Sequence, residues 1–171
     1  MIKEKIEEAI NNQINAELWS AYLYLSMSTY FESKSLGGFA NWMRNQAQEE
    51  VAHAMRFYNY VNDRGGRVKL QPIEKVPTDW KSPLDVFQET YKHEQKVTEM
   101  INDLVDLASK ENDHATYNML QWFVEEQVEE EDSAEEIVEK LKLIGDSGNG
   151  LLRLDKELGQ RTFTPPTESE E

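Results

Sequence analysis

One helical stripe in residues 39–61 places polar side chains where a protein core should be. With a helical period, one face of this run carries seven side chains: Phe39, Met43, Gln46, Glu50, His53, Phe57 and Tyr60. A carboxylate that faces a core costs several kcal/mol unless a partner neutralises it. Because Glu50 and His53 are three residues apart, their side chains point at one place, as two metal ligands would. The stripe predicts a buried Glu–His ion pair or part of a metal site.

Three other helical runs carry similar interruptions. Residues 3–34 place Glu17 on an apolar stripe, a run that begins at Ser82-Pro83 places Glu94 on another, and residues 113–144 carry Gln127 and Glu130. The turns at 35–38 and 110–113 are short, whereas the connection at 65–82 is long. Extended, its 18 residues reach roughly 60 Å, and a 27-residue helix is only about 40 Å long. The fold class is therefore all-α: a four-helix bundle with a long crossover between helices 2 and 3. A short fifth helix is predicted at 151–158, after a break at 145–150.

The four interruptions are predicted to meet at one level. Glu17 and Glu50 are nearly equidistant from the first turn, as Glu94 and Gln127 are from the second. If the crossover spans the bundle, all four helices bring their polar side chains to the same depth. Carboxylates 4 Å apart repel by about 4 kcal/mol at an effective dielectric of 20, so they need cations or raised pKa values. Oxygen-rich ligation with one imidazole suits iron or manganese, and five or six ligands suit two ions with Glu50 as the bridge.

Composition and charge exclude several kinds of binding site and partner. The 171 residues contain no Cys, which excludes disulfides and thiolate metal sites. A net charge of −15 argues against binding nucleic acid. The start at Met1 has no apolar signal region and the chain has no run of 18 apolar residues, so no membrane partner and a cytoplasmic location are expected.

The motifs Glu17, Glu50-x-x-His53, Glu94 and Gln127-x-x-Glu130, at spacings of 33, 44 and 33, together with the long crossover, resemble the non-haem ferritins of bacteria and archaea. The resemblance covers residues 1–163 as one ferritin-like di-iron domain, and 164–171 are expected to be a disordered acidic tail. It implies a ferroxidase centre in each subunit. Its first iron is held by Glu17, Glu50 and His53, and its second by Glu50, Glu94 and Glu130, with Gln127 nearby. A third iron site is implied at Glu49, Glu126, Glu129 and Glu130.

The resemblance also implies a function. Fe2+ is oxidised by O2 or peroxide, and Fe3+ is stored as a ferric oxyhydroxide mineral inside a cage of 24 subunits. Glu50, Gln127 and Tyr24 are the implied catalytic residues; Tyr24 is placed to hydrogen-bond a ligand or donate an electron. The sequence departs from di-iron enzymes in having Gln127-x-x-Glu130 in place of a second Glu-x-x-His, and Ala52 before His53 argues against haem.

Besides a DNA-protecting mini-ferritin, a family that places its metals between subunits and lacks this Glu-x-x-His within one bundle, two alternatives stay open at this point. One is a small di-iron peroxidase of the rubrerythrin type, against which the absence of Cys and of a second Glu-x-x-His argues. The other is a non-catalytic helical interaction bundle in which the buried polar set only fixes the register of the helices.

Overall fold

The computed structural model describes residues 1–165, and in that range it contains five helices and no strand. The helices are α1 (Glu4–Ser33), α2 (Gly37–Asp63), α3 (Pro83–Lys110), α4 (His114–Ile144) and α5 (Gly148–Leu158). The all-α prediction of four long helices and a short fifth is confirmed. Most of the predicted tail, residues 166–171, lies outside the described range. Within that range, none of the helices has the length and apolar character needed to cross a membrane.

The described chain divides into two compact units. The first contains residues 1–79 and the segment from Ser147 onward, and the second is Trp80–Asp146. In the first unit α1 and α2 form a hairpin, which turns at Ser35 with a positive φ of 58°. Phe31 and Phe39 stack beside this turn with their ring centroids 5.0 Å apart. The apolar stripes of both helices are buried as their periodicity predicts, except at Tyr60, which is half-buried.

The long connection after α2 runs along α1. Asn11 donates to the Arg67 carbonyl (3.1 Å) and accepts from the Lys69 backbone N–H (2.6 Å). Further along, Asn15 donates to the Pro72 carbonyl and Ser26 to the Pro77 carbonyl. The helical rise between Asn11 and Ser26 is about 22 Å. The connection therefore follows the hairpin from its open end toward its turn, as its length predicted.

Helix α5 packs against the start of α2. One carboxylate oxygen of Asp155 accepts hydrogen bonds from the backbone N–H groups of Gly38 (2.8 Å) and Phe39 (3.0 Å). These groups have no partner inside the helix, so Asp155 caps α2 from a distant part of the chain. The predicted start of α5 at Leu151 was wrong. Ser147 Oγ accepts from the Gly150 N–H and caps the helix three residues earlier, although two glycines, Gly148 and Gly150, lie in its first turn.

Gly38 lets α5 approach this closely. A Cβ at Gly38 would lie 1.6 Å from the Asp155 carbonyl oxygen, whereas a Cβ at Gly37 would meet no atom within 4 Å. We expect Gly38→Ala to lower the free energy of unfolding by about 3 kcal/mol or to displace α5. Gly37→Ala should change it by less than about 1 kcal/mol. Denaturant unfolding of both variants measures the difference, and equal stabilities would contradict this account of the contact.

The second unit is a hairpin of α3 and α4. Ser82 Oγ accepts from the Asp85 N–H (3.1 Å) with Pro83 at the first helical position, as the sequence predicted. Asp113 caps α4 in the same way by accepting from the Thr116 N–H. Caps of this kind fix where each helix starts, and so they fix which residues face the inside of the hairpin.

Candidate metal centre

Three predicted ligands meet inside the first unit. Glu17 comes from α1, Glu50 and His53 come from α2, and all three are buried, with 1%, 2% and 4% exposure. One ligand atom from each lies within 4.8 Å of the other two. His53 Nδ1 is 3.5 Å from the nearer Glu50 oxygen. Two carboxylates and an imidazole at this separation can hold one divalent cation.

Each of the two carboxylates accepts a hydrogen bond from a side-chain amide one helical turn earlier. Gln13 Nε2 donates to Glu17 Oε1 at 2.7 Å, and Gln46 Nε2 donates to Glu50 Oε1 at 3.2 Å. Hydrogen bonds of this kind orient metal ligands and raise their affinity. The contribution of Gln13 was not predicted from the sequence. The signal was present, because a Gln stands four residues before the Glu in both helices.

The second oxygen of Glu17 has no hydrogen-bond partner among the described residues, although it is buried. Burial, and next the negative charge of Glu50, raise the pKa of Glu17 to about 8, although His53 and Gln13 act in the opposite direction. Without a cation this carboxyl is therefore protonated at neutral pH. A metal ion would supply both the missing partner and the missing charge.

Tyr24 lies two turns after Glu17 on α1 and is fully buried. This position fits the predicted role beside the centre. Its service as an electron donor stays a prediction.

The other predicted ligands are buried residues of the second unit. Glu94, Gln127 and Glu130 have 1%, 3% and 8% exposure. Gln127 Nε2 lies within hydrogen-bond distance of Glu94 Oε2 (3.3 Å), the Glu94 carbonyl (3.2 Å) and Thr98 Oγ1 (3.2 Å). Thr98 in turn donates to Glu131 at 2.5 Å. Within this hairpin the Gln127 amide thus fixes the Glu94 carboxylate, as Gln13 and Gln46 fix theirs in the first unit.

The residues implied for a third iron site differ in exposure. Glu126 is half-buried and Glu129 is exposed. Glu49 is half-buried and forms an ion pair with Arg161, which follows α5. Burial raises the pKa of Glu49, while Arg161 and His53 act to lower it. The contact of Arg161 with Glu49 was not predicted from the sequence.

Comparison with known proteins finds one family over most of the chain. Residues 7–144 match the family model described as a ferritin-like domain. A bacterial non-heme ferritin of Bacteroides fragilis is 50% identical over 161 residues, covering 94% of this chain and all of that protein. One from Staphylococcus aureus is 39% identical, covering 95% and 98%. Two solved structures of Archaeoglobus fulgidus ferritin are 58% identical. A form engineered to be closed has a TM-score of 0.95 and covers 96% of this chain and 100% of its own. An open-pore form has a TM-score of 0.94 and covers 95% of this chain and 100% of its own.

Proposed function

The chain belongs to the ferritin family, and we propose that it stores iron after oxidising Fe2+ to Fe3+ at a centre inside each subunit. Family membership supports iron storage in general. The observation that carries the ferroxidase proposal is the buried set of Glu17, Glu50 and His53, in which one Glu17 oxygen still lacks a partner. A bundle whose polar residues only fixed helix register would be expected to satisfy that oxygen from within the protein.

The second iron would be bound by Glu50, Glu94 and Glu130, with Gln127 beside Glu94. This assignment rests on the spacing of the motifs and on family membership. It is supported by the burial of these carboxylates, since a buried acidic side chain without a cation is costly. Glu49, Glu126 and Glu129, with Glu130, would form a weaker third site, which would fill only when Glu49 is released from its ion pair with Arg161. Tyr24 would hydrogen-bond a ligand or supply an electron.

The reaction needs two ferrous ions because each gives one electron. Two Fe2+ and one O2 with two protons yield two Fe3+ and one H2O2. With peroxide as oxidant, two Fe2+ and two protons reduce one H2O2 to two H2O and yield two Fe3+. Carboxylate ligands stabilise the added positive charge on the oxidised ions, since hard oxygen donors bind Fe3+ well. Fe3+ would then leave for the mineral. A cytoplasmic location and the absence of haem, nucleic acid and membrane partners stay predictions from the sequence.

Assembly into a cage of 24 subunits is the remaining part of the proposal. With 19.9 kDa per chain, such a cage has a mass of about 480 kDa. We expect the protein to elute from gel filtration at this mass. After aerobic loading with Fe2+, the same fraction should retain many more than two irons per chain. A rubrerythrin-type dimer would elute at about 40 kDa with two irons per chain. An interaction bundle would retain none, and either of these results would contradict iron storage.

A further inference from the structure

Arg161 lies at the point where the segment after α5 crosses α2. Its backbone carbonyl accepts hydrogen bonds from Asn41 (2.9 Å) and Asn45 (3.3 Å), and its guanidinium stacks over the Trp42 ring at 4.3 Å. The same guanidinium donates to the Trp42 carbonyl at 3.4 Å. Both the backbone and the side chain of Arg161 are thus fixed to one face of α2.

The end of this side chain reaches two residues next to the metal ligands. One guanidinium nitrogen donates to Gln46 Oε1 at 2.9 Å and forms the ion pair with Glu49. A guanidinium can only donate, so the oxygen of the Gln46 amide must face Arg161. The amide nitrogen then faces Glu50, to which it donates at 3.2 Å. Because Glu50 can only accept when ionised, Arg161 sets the one amide orientation that supports it.

We propose that Arg161 is a positioning residue for iron binding, which orients Glu50 through Gln46 and keeps Glu49 from binding metal. This inference rests on the proposed function, since Glu50 is the ligand that it serves. The arrangement ties the C-terminal segment to the centre, because Arg161 is the residue that joins that segment to both Gln46 and Glu49.

The proposal predicts two opposite effects of Arg161→Ala. The amide of Gln46 loses its fixed orientation, so the site that contains Glu50 should bind metal about tenfold more weakly, as for other residues that orient ligands. Glu49 loses its cation, so an additional weak metal equivalent should appear. A general loss of structure would weaken binding everywhere and would add no equivalent.

The test is titration of the assembled protein with Co2+ in the absence of O2. Co2+ binds carboxylate and imidazole ligands and stays divalent under these conditions. The tight site is identified as the Co2+ equivalent that Glu50→Ala removes. Arg161→Ala should show a Kd about tenfold higher for that equivalent and one additional weak equivalent, and Arg161→Ala/Glu49→Gln should lose the additional one. Arg153→Ala, which removes an exposed arginine from α5, is the charge-matched control and should bind Co2+ like the wild type.

A second variant separates the two effects. Gln46→Met keeps the side-chain volume and leaves Arg161 paired with Glu49, so it should weaken the tight site without adding an equivalent. Combined with Arg161→Ala it should weaken that site no further, because both changes break the same relay. It also tests the relay if Arg161→Ala fails to fold.

Two results would overturn the inference. Wild-type Kd values for the tight site in both Arg161→Ala and Gln46→Met would remove Arg161 from the iron site while leaving the proposed function intact. If instead the wild type shows no Co2+ equivalent that depends on Glu50, the proposed function fails and this inference fails with it.

Discussion

Replacing Glu50 with Ala is expected to slow the initial aerobic oxidation of Fe2+ about 100-fold or more, while the helices stay intact. A Glu50 oxygen lies within 4.8 Å of a ligand atom of Glu17 and of His53, and in the proposed centre Glu50 is shared by both irons. Losing it removes the one group that holds the two ions together for a two-electron reaction. Stopped-flow absorbance of Fe3+ formation measures the rate.

The stability of a second variant, Glu50→Gln, distinguishes a loss of Fe2+ oxidation from misfolding. The charge of Glu50 helps to raise the pKa of Glu17, so these two carboxyls disfavour each other's ionisation in the metal-free protein. Glu50→Gln keeps the size of the side chain and removes that charge, so its metal-free form should be at least as stable as the wild type at pH 7. Glu8→Ala, an exposed change on α1, is the control and should oxidise Fe2+ normally. Normal oxidation in Glu50→Ala would contradict the shared-ligand role.

The second large effect is a pH dependence of the stability of the metal-free protein, which comes from Glu17. The pKa of Glu17 is about 8 in the folded protein against 4.5 in the unfolded chain. Below about pH 4.5 the carboxyl is protonated in both states. Between about pH 4.5 and 8 only the unfolded chain has lost the proton, so each pH unit lowers the stability of the metal-free protein by up to ~1.4 kcal/mol. The contribution of Glu17 is therefore complete at low pH and lost as the pH approaches 8, a change on the order of 4 kcal/mol.

Denaturant unfolding of metal-free protein from pH 5 to pH 8 measures this contribution as the difference between the wild type and Glu17→Gln. The Gln variant cannot lose that proton, so the wild type should become progressively less stable relative to it as the pH rises. Adding Co2+ at pH 8 should restore the stability of the wild type and release a proton when added at pH 7. A difference that does not vary with pH would show that Glu17 is ionised without metal.

The helices and the meeting of Glu17, Glu50 and His53 could be predicted from the sequence because both depend on local spacing. A stripe at helical period places Glu50 and His53 on the same face whatever else the chain does, and Ser82-Pro83 is a cap that acts within four residues. The short first turn then brings Glu17 to the same depth. The resemblance to ferritins, which was drawn from these same motifs, is confirmed by the comparisons.

The contacts that sequence reasoning missed are set by tertiary structure. Arg161 is more than 100 residues from Gln46 and Glu49, and no periodicity relates it to them. The early start of α5 was missed because Gly148 and Gly150 disfavour a helix, whereas the Ser147 cap and the Asp155 contact with α2 favour it. How Glu94, Gln127 and Glu130 complete the centre stays a prediction, as do the third site and the single domain at 1–163.

The way in which the long connection is attached to α1 has a consequence for variation. In four of the hydrogen bonds that attach it, Asn11, Asn15 and Ser26 contribute side chains, whereas the connection contributes main-chain groups, at Arg67, Lys69, Pro72 and Pro77. Any residue type offers the same carbonyl oxygen. Substitutions at Arg67, Pro72 or Pro77 should therefore keep these hydrogen bonds. Substitutions of Asn11, Asn15 or Ser26 would remove the side chains that form them.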